Sequence, residues 1–334
     1  MDLQRSLLIG AIAVLSFMLL TEWVAFKDER APMPEQSSRL INGAETAETD
    51  LPEPAAPNKP SEEDLPDIPT EDTSAAPADS SVASAMPSGQ LIQVHTDVLQ
   101  FVVDLRGGDI IELALPKFLA KIDNPDVPFV LLEQNNARTY IAQSGLIGAN
   151  GIDSNGRALF ESASNRYELE EGKDSLTIDL IWTGNDAVKV TKRLTLRRGD
   201  YLVDVTYLVE NNSGERWQGN LFGQIKRDSS APPASDSPGM GMQPFLGVAI
   251  TQPDERFTKF SFEDMAEEPF KAKLPGGWIA MIQHYFLTAW IPAQEQSHTF
   301  SARVTRSGYN IAGFTSPALT LDPGQSGQVK AEFY

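Results

Sequence analysis

Between Gly89 and Tyr334 the chain alternates apolar and polar residues with a period of two, and this constrains its fold more than any other feature. Leu99, Phe101, Val103 and Leu105 interleave with Gln100, Val102 and Asp104. Leu176, Ile178, Leu180 and Trp182 interleave with Thr177, Asp179 and Ile181, and Val188, Val190, Leu194 and Leu196 with Lys189, Thr191, Arg193 and Thr195. Tyr201, Val203, Val205, Tyr207 and Val209 continue the pattern. Successive side chains of an extended strand point to opposite faces, so each stretch reads as a strand with one buried face. The breaks carry turn chemistry: Arg198-Gly199-Asp200 joins two strands, Asn211-Asn212-Ser213-Gly214 ends the second, and Pro323-Gly324-Gln325 precedes a last strand. Further strands are expected around 257–262, 278–290, 299–306, 309–314, 318–321 and 328–333. No long segment has a 3.6-residue period, and only Pro116 to Ile122 reads as a short helix. The expected fold class is mainly β: a large antiparallel assembly of two packed sheets forming one extended sandwich.

The charge points to a different organisation upstream. The 334 residues include no cysteine and 46 acidic against 27 basic side chains, a formal charge of −19. Residues 28–88 hold 14 of the acids but only Arg30, Arg39 and Lys59, together with ten prolines. Their large apolar residues, such as Leu40, Leu51, Leu65 and Ile68, are isolated. Such a stretch cannot bury enough surface to offset its ordering entropy, and proline with like-charge repulsion keeps it extended. It reads as a disordered acidic linker, with a docking segment for a basic partner as the other reading. The folded part, 89–334, keeps a charge of only −8. A net acidic chain repels phosphate backbones, so no nucleic-acid partner is expected. Zero cysteine excludes disulfides, thiol catalysis and Cys-ligated zinc.

Upstream of the linker, Leu7 to Phe26 contains a single charged residue, Glu22. Twenty residues at helical rise span about the 30 Å hydrocarbon core of a bilayer. The segment reads as a transmembrane anchor contacting the lipid bilayer through residues 7–26. A cleavable signal peptide is the alternative, but Trp23 sits where a small residue should precede Ala25. Flanking charges do not fix the orientation, since Arg5 lies before the segment and Lys27 and Arg30 after it. Three parts result: an anchor, 1–27; the linker, 28–88; and the β domain, 89–334.

Motifs for chemistry are missing. Gly239-Met240-Gly241 is followed by Met242-Gln243-Pro244, which breaks a phosphate-binding glycine loop, and neither GxSxG nor HExxH occurs. His95, His284 and His298 have no partner at metal-ligand spacing. Asp153-Ser154-Asn155-Gly156 reads as a turn rather than a calcium loop, and Glu168, Glu170, Glu171 and Asp174 as a solvated hairpin end around Gly172. Asn211-Asn212-Ser213 fits the short glycosylation pattern. Residues 229–247 form a Pro/Gly/Met-rich loop, either a surface excursion or a partner contact. Residues 275–292 concentrate Trp278, Tyr285, Phe286 and Trp290 and read as a buried central strand; Gln283, His284 and Thr288 argue against a second membrane span. No catalytic, cofactor-binding or metal residue is assigned.

Three stretches carry a family resemblance. The opening MDLQRSLLIGAIAVLSFML with the acidic Pro-rich stretch after it, the run GGWIAMIQHYFLTAWIP, and the ending GYNIAGFTSPALTLDPGQSGQVKAEFY resemble the amino-terminal half of the Gram-negative YidC membrane protein insertase family. The resemblance covers the whole chain. It implies an inner-membrane protein with its amino terminus in the cytoplasm and the bulk of this chain in the periplasm, folded as a β-super-sandwich similar to galactose mutarotases. It implies nascent inner-membrane proteins as substrates, and the SecYEG translocon and its SecDF accessory as partners. The family continues into five further membrane helices whose hydrophilic groove receives the substrate, so the resemblance assigns no residue here to insertion itself.

Two functions of different class follow. One is a non-enzymatic anchor and periplasmic scaffold or interaction domain of an insertase with chaperone activity. The other, from the fold alone, is a carbohydrate-binding or mutarotase-like protein. The second needs a carboxylate and histidines facing one cleft, so geometry discriminates between them.

Overall fold

The computed structural model describes residues 65–66, 91–121, 124–184, 187–231, 245–283 and 285–334. The expected anchor, nearly all of the acidic linker, the centre of the 229–247 loop and His284 lie outside the described residues. Among the described residues no helix is long and apolar enough to cross a membrane.

The alternating segments form two large sheets, with strands numbered in chain order. The first runs β14 (Phe270–Pro275), β17 (Ser297–Val304), β18 (Asn310–Leu321), β11 (Trp217–Arg227), β5 (Thr139–Ile147), β4 (Asn124–Gln134), β3 (Asp109–Lys121), β2 (Gln100–Asp104), β1 (Leu91–His95) and β7 (Arg166–Glu168). The second runs β13 (Thr258–Ser261), β12 (Gly247–Ile250), β15 (Ile279–Ile282), β16 (Leu287–Pro292), β19 (Ser326–Phe333), β10 (Val203–Asn211), β9 (Val188–Arg197), β8 (Ser175–Thr183) and β6 (Glu161–Ser162). Neighbours pair antiparallel, apart from the short parallel match of β1 with β7. The β9–β10 hairpin shows the sequence logic directly. Val203, Val205, Tyr207 and Val209 are buried while the residues between them are half-exposed, and Gly199 turns the chain at φ 73°.

The inner faces meet in one core that includes Phe101, Leu194, Tyr207, Trp290, Phe300, Phe314 and Phe333. Each large apolar side chain removed from water stabilises the fold by roughly 1.5–3 kcal/mol, which makes this inter-sheet layer the main source of stability.

Three local expectations change. Residues 116–121 are strand, not helix, because β3 continues against β4. Pro116 is accommodated where the ladder skips from Leu115–Phe129 to Leu119–Pro128, an irregularity that spares it the hydrogen bond it cannot donate. The stretches around 309–314 and 318–321 are one strand, β18, with a register shift opposite Asn220 and Phe222. A short helix, α1 (Phe262–Glu267), interrupts the β pattern. Its start is encoded by a capping box, in which the Ser261 hydroxyl accepts from the Asp264 amide and the Asp264 carboxylate from the Ser261 amide.

Candidate functional site

The aromatic stretch expected as one buried strand is a hairpin. Ile279, Ala280 and Met281 on β15 and Trp290 on β16 are buried, but the turn lifts Tyr285 to 79% exposure. Phe286, just inside the turn, stacks on Phe129 at 4.3 Å between centroids and meets Phe118 edge-on at 5.3 Å. Phe118 in turn lies 6.2 Å from Tyr201. Phe118, Tyr201 and Phe286 of this row line a cavity of about 560 Å³.

One wall of the cavity comes from Leu99, Leu113, Leu115 and Leu131, the other from Ile282, Leu287, Phe333 and Tyr334, with Phe245 at the side. Phe118, Tyr285, Leu287 and Tyr334 are also partly exposed to solvent, so apolar surface continues from the cavity outward. Apart from the tyrosines, its polar lining consists of Gln283 and Thr288. Thr288 Oγ1 is paired with the Tyr140 hydroxyl at 2.7 Å. Gln283 Oε1 accepts from Arg138 Nη2 at 3.4 Å, whereas the buried Gln283 Nε2 finds no acceptor among the described residues. A wide apolar space with one unpaired amide donor suits an apolar ligand carrying a carbonyl acceptor.

Among the described residues the cavity is lined by no carboxylate side chain and no histidine, so they do not assemble the acid–base constellation of sugar-ring chemistry there. His298 is buried on β17, its Nε2 donating to the Ala293 carbonyl at 2.7 Å and its Nδ1 facing Ser316 Oγ at 3.1 Å. Burial lowers its pKa, opposed by the bond to Ala293. His95 lies on β1, seven strand positions from β17. At the usual inter-strand spacing that is about 33 Å along the sheet. Among the described residues no group of His, Asp or Glu side chains could hold a metal ion.

The turn at Asp153 has a structural role that its sequence did not disclose. Asp153 is fully buried and accepts from the backbone amides of Leu146 and Ala158 and from Arg157 Nη1. Arg157 Nη2 pairs with Asp109, and it also donates to the Ser144 carbonyl at 2.8 Å. Burial would lower the Arg157 pKa, but Asp109 and Asp153 outweigh it and hold the guanidinium charged. Beside this cluster Lys192 donates to the Gly107 and Gly108 carbonyls at 3.0 and 2.8 Å. Burial draws the Lys192 ammonium down to about 7, opposed by the carboxylates of Asp109 and Asp153 and reinforced by Arg157. A lysine in the apolar phase of β9, between Val190 and Leu194, was the available sequence signal for this cluster. The glycosylation-like Asn211 is also structural: it is buried, and its amide donates to the Glu215 and Leu321 carbonyls.

Comparison with known proteins agrees with the sequence resemblance. The profile of the YidC periplasmic domain matches residues 91–334. The membrane protein insertase YidC of Pseudomonas aeruginosa strain LESB58 is 39% identical over 358 residues, covering 100% of this chain and 60% of that protein. The YidC of Cellvibrio japonicus is 42% identical over 339 residues, covering 100% of this chain and 58% of its own length. The chain thus spans about 60% of the length of the curated relatives it matches. Among solved structures, a galactose mutarotase-related enzyme from Lactobacillus acidophilus is similar with a TM-score of 0.46 and 12% identity, over 73% of this chain and 96% of that one. With a family profile across most of its length and relatives near 40% identity along all of it, this chain belongs to the YidC membrane protein insertase family.

Proposed function

We propose that this chain is the anchor and the periplasmic interaction domain of an inner-membrane insertase. In this reading residues 7–26 cross the inner membrane, residues 28–88 span the gap, and the β-sandwich works in the periplasm as a non-enzymatic scaffold. The observation that carries it is the apolar cavity beside the β15–β16 turn, with exposed Tyr285 at its edge and a single unpaired amide donor in Gln283. Apolar walls hold side chains of an unfolded membrane segment, and the Gln283 amide is placed to satisfy one of its backbone carbonyls. Insertion itself is assigned to the part of the longer relatives that this chain does not span. The partners proposed by family membership are nascent inner-membrane proteins, the SecYEG translocon and its SecDF accessory.

The test is affinity capture from solubilised inner membranes with the full-length protein as bait. Translocon and accessory subunits are expected to co-purify. Tyr285→Asp should leave folding intact and lower the recovery of nascent chains. Equal recovery with Tyr285→Asp would move the interaction site away from the cavity.

A further inference from the structure

One fragment of the acidic linker is held against the β domain. Leu65 and Pro66 are both half-buried, and the Leu65 carbonyl accepts from Arg303 Nη2 at 2.9 Å. Arg303 lies on β17 beside Ala302, which packs in the core, so its side chain leaves the opposite, outer face of the sheet.

That outer face is basic at this end. Arg303, Ile311 and Lys226 form one cross-strand row, in which Arg303 pairs with Ile311 and Ile311 with Lys226. Lys271 and Lys273 on the edge strand β14 pair with Ser301 and Thr299, which puts both lysines on the same face as Arg303. Lys226 Nζ sits 4.1 Å from the Tyr309 ring centroid. Asp228, at the end of β11, is the acidic residue two positions from Lys226 in this phase. Ile311 in this row and Ile141, which pairs with Lys226 from the other side, are 2% and 5% exposed, so the apolar part of this face is already covered.

The linker sequence complements it. Leu65-Pro66 is bracketed by Glu62, Glu63 and Asp64 on one side and Asp67, Glu71 and Asp72 on the other. It is an apolar, conformationally restricted dipeptide between acidic runs, set in a chain otherwise short of apolar residues.

We propose that the linker carries an intramolecular docking motif centred on Leu65-Pro66, which the basic outer face around Arg303 captures. A covalently linked motif needs little intrinsic affinity, because a short flexible connection gives an effective concentration in the millimolar range. Docking replaces a free connection of residues 28–90 by one of residues 28–64, which shortens the tether between the expected anchor and the β domain.

The chain has no cysteine, so spin labels can be placed at will. Labels at Ser61→Cys and Lys330→Cys in the full chain should report a narrow distance distribution. Leu65→Ser, Arg303→Ala and raised salt should each abolish the narrow peak. A second pair inside the domain, Glu170→Cys with Glu215→Cys, should not change, which shows that the sandwich remains folded. Leu65→Ser lies in the linker, so its result stands whatever Arg303→Ala does to folding. A broad distribution in the unaltered chain, or a narrow one that survives Leu65→Ser, overturns the proposal.

Discussion

The ion cluster around Arg157 and the cavity beside Tyr285 both interrupt the apolar layer between the sheets, and they do so in opposite ways. In the cluster, Asp109, Asp153 and Arg157 are buried and bonded to one another and to backbone amides and carbonyls. Lys192 spends its donors on Gly107 and Gly108. The carboxylates and cations are thus committed to the fold. The cavity keeps aromatic and aliphatic walls, an exposed turn and an amide donor without an acceptor. Perturbed titratable groups often mark functional sites. Here they mark a structural joint, and the surface proposed for a partner is the one without charge.

If this contrast is right, substitutions in the cluster should act on stability and those at the cavity mouth on binding. Arg157→Met should have the largest effect, because it strands Asp109 and Asp153 in the interior. We expect a loss of about 3–5 kcal/mol in urea unfolding, and a loss below 1 kcal/mol would mean that water reaches the cluster. Trp290→Ala should follow closely, at about 3–5 kcal/mol. Its ring is 1% exposed, packs on Phe333 of the cavity wall at 5.1 Å, and donates to the Gln224 carbonyl. Trp278, half-exposed against Phe257, should cost less on the same change, which corrects an expectation that treats the two as equally buried.

Gly107→Ala should cost about 1–3 kcal/mol. Gly107 has a φ of 77°, and a Cβ there would collide with the Arg157 guanidinium. Thermal unfolding measures this, and a neutral substitution would show that the guanidinium can retreat. Lys192 supplies a pH test. Its folded-state pKa near 7 lies below the ordinary 10.5. Between those values the unfolded chain holds a proton that the folded chain has released, so stability rises with pH across this window and is flat in this contribution below it. Lys192→Met should remove the rise. Tyr285→Ser should have the smallest effect on stability, within about 0.5 kcal/mol, because its ring is exposed. The same substitution should weaken capture of apolar segments, and unchanged capture would erase the contrast.

The sheets were legible in the sequence wherever one face is buried and the other solvated, as in β8, β9 and β10. Strands β5 and β11 were not, because both of their faces are buried and the alternation disappears. The short helix expected from Pro116 to Ile122 failed because a lone proline reads as a helix start when its strand irregularity cannot be seen. The candidate site was legible only as a stretch. The concentration of aromatics at 278–290 marked the right residues but read as one buried strand, because the turn that exposes Tyr285 and the pairing of Phe286 with Phe129 depend on the tertiary fold. The ion cluster joins residues 109, 153, 157 and 192, and its only local traces are a lysine in an apolar phase and an Asp–Arg pair four residues apart.

The central proposal, that the apolar cavity receives unfolded membrane segments, is tested most directly by site-specific photocrosslinking in the full-length protein. A photoreactive residue replaces Tyr285 while an inner-membrane protein is being synthesised, with Lys173 at the exposed β7–β8 turn as the reference position. The account predicts adducts with the nascent chain from position 285 and none from position 173. Equal labelling from both, or none from 285, would contradict it.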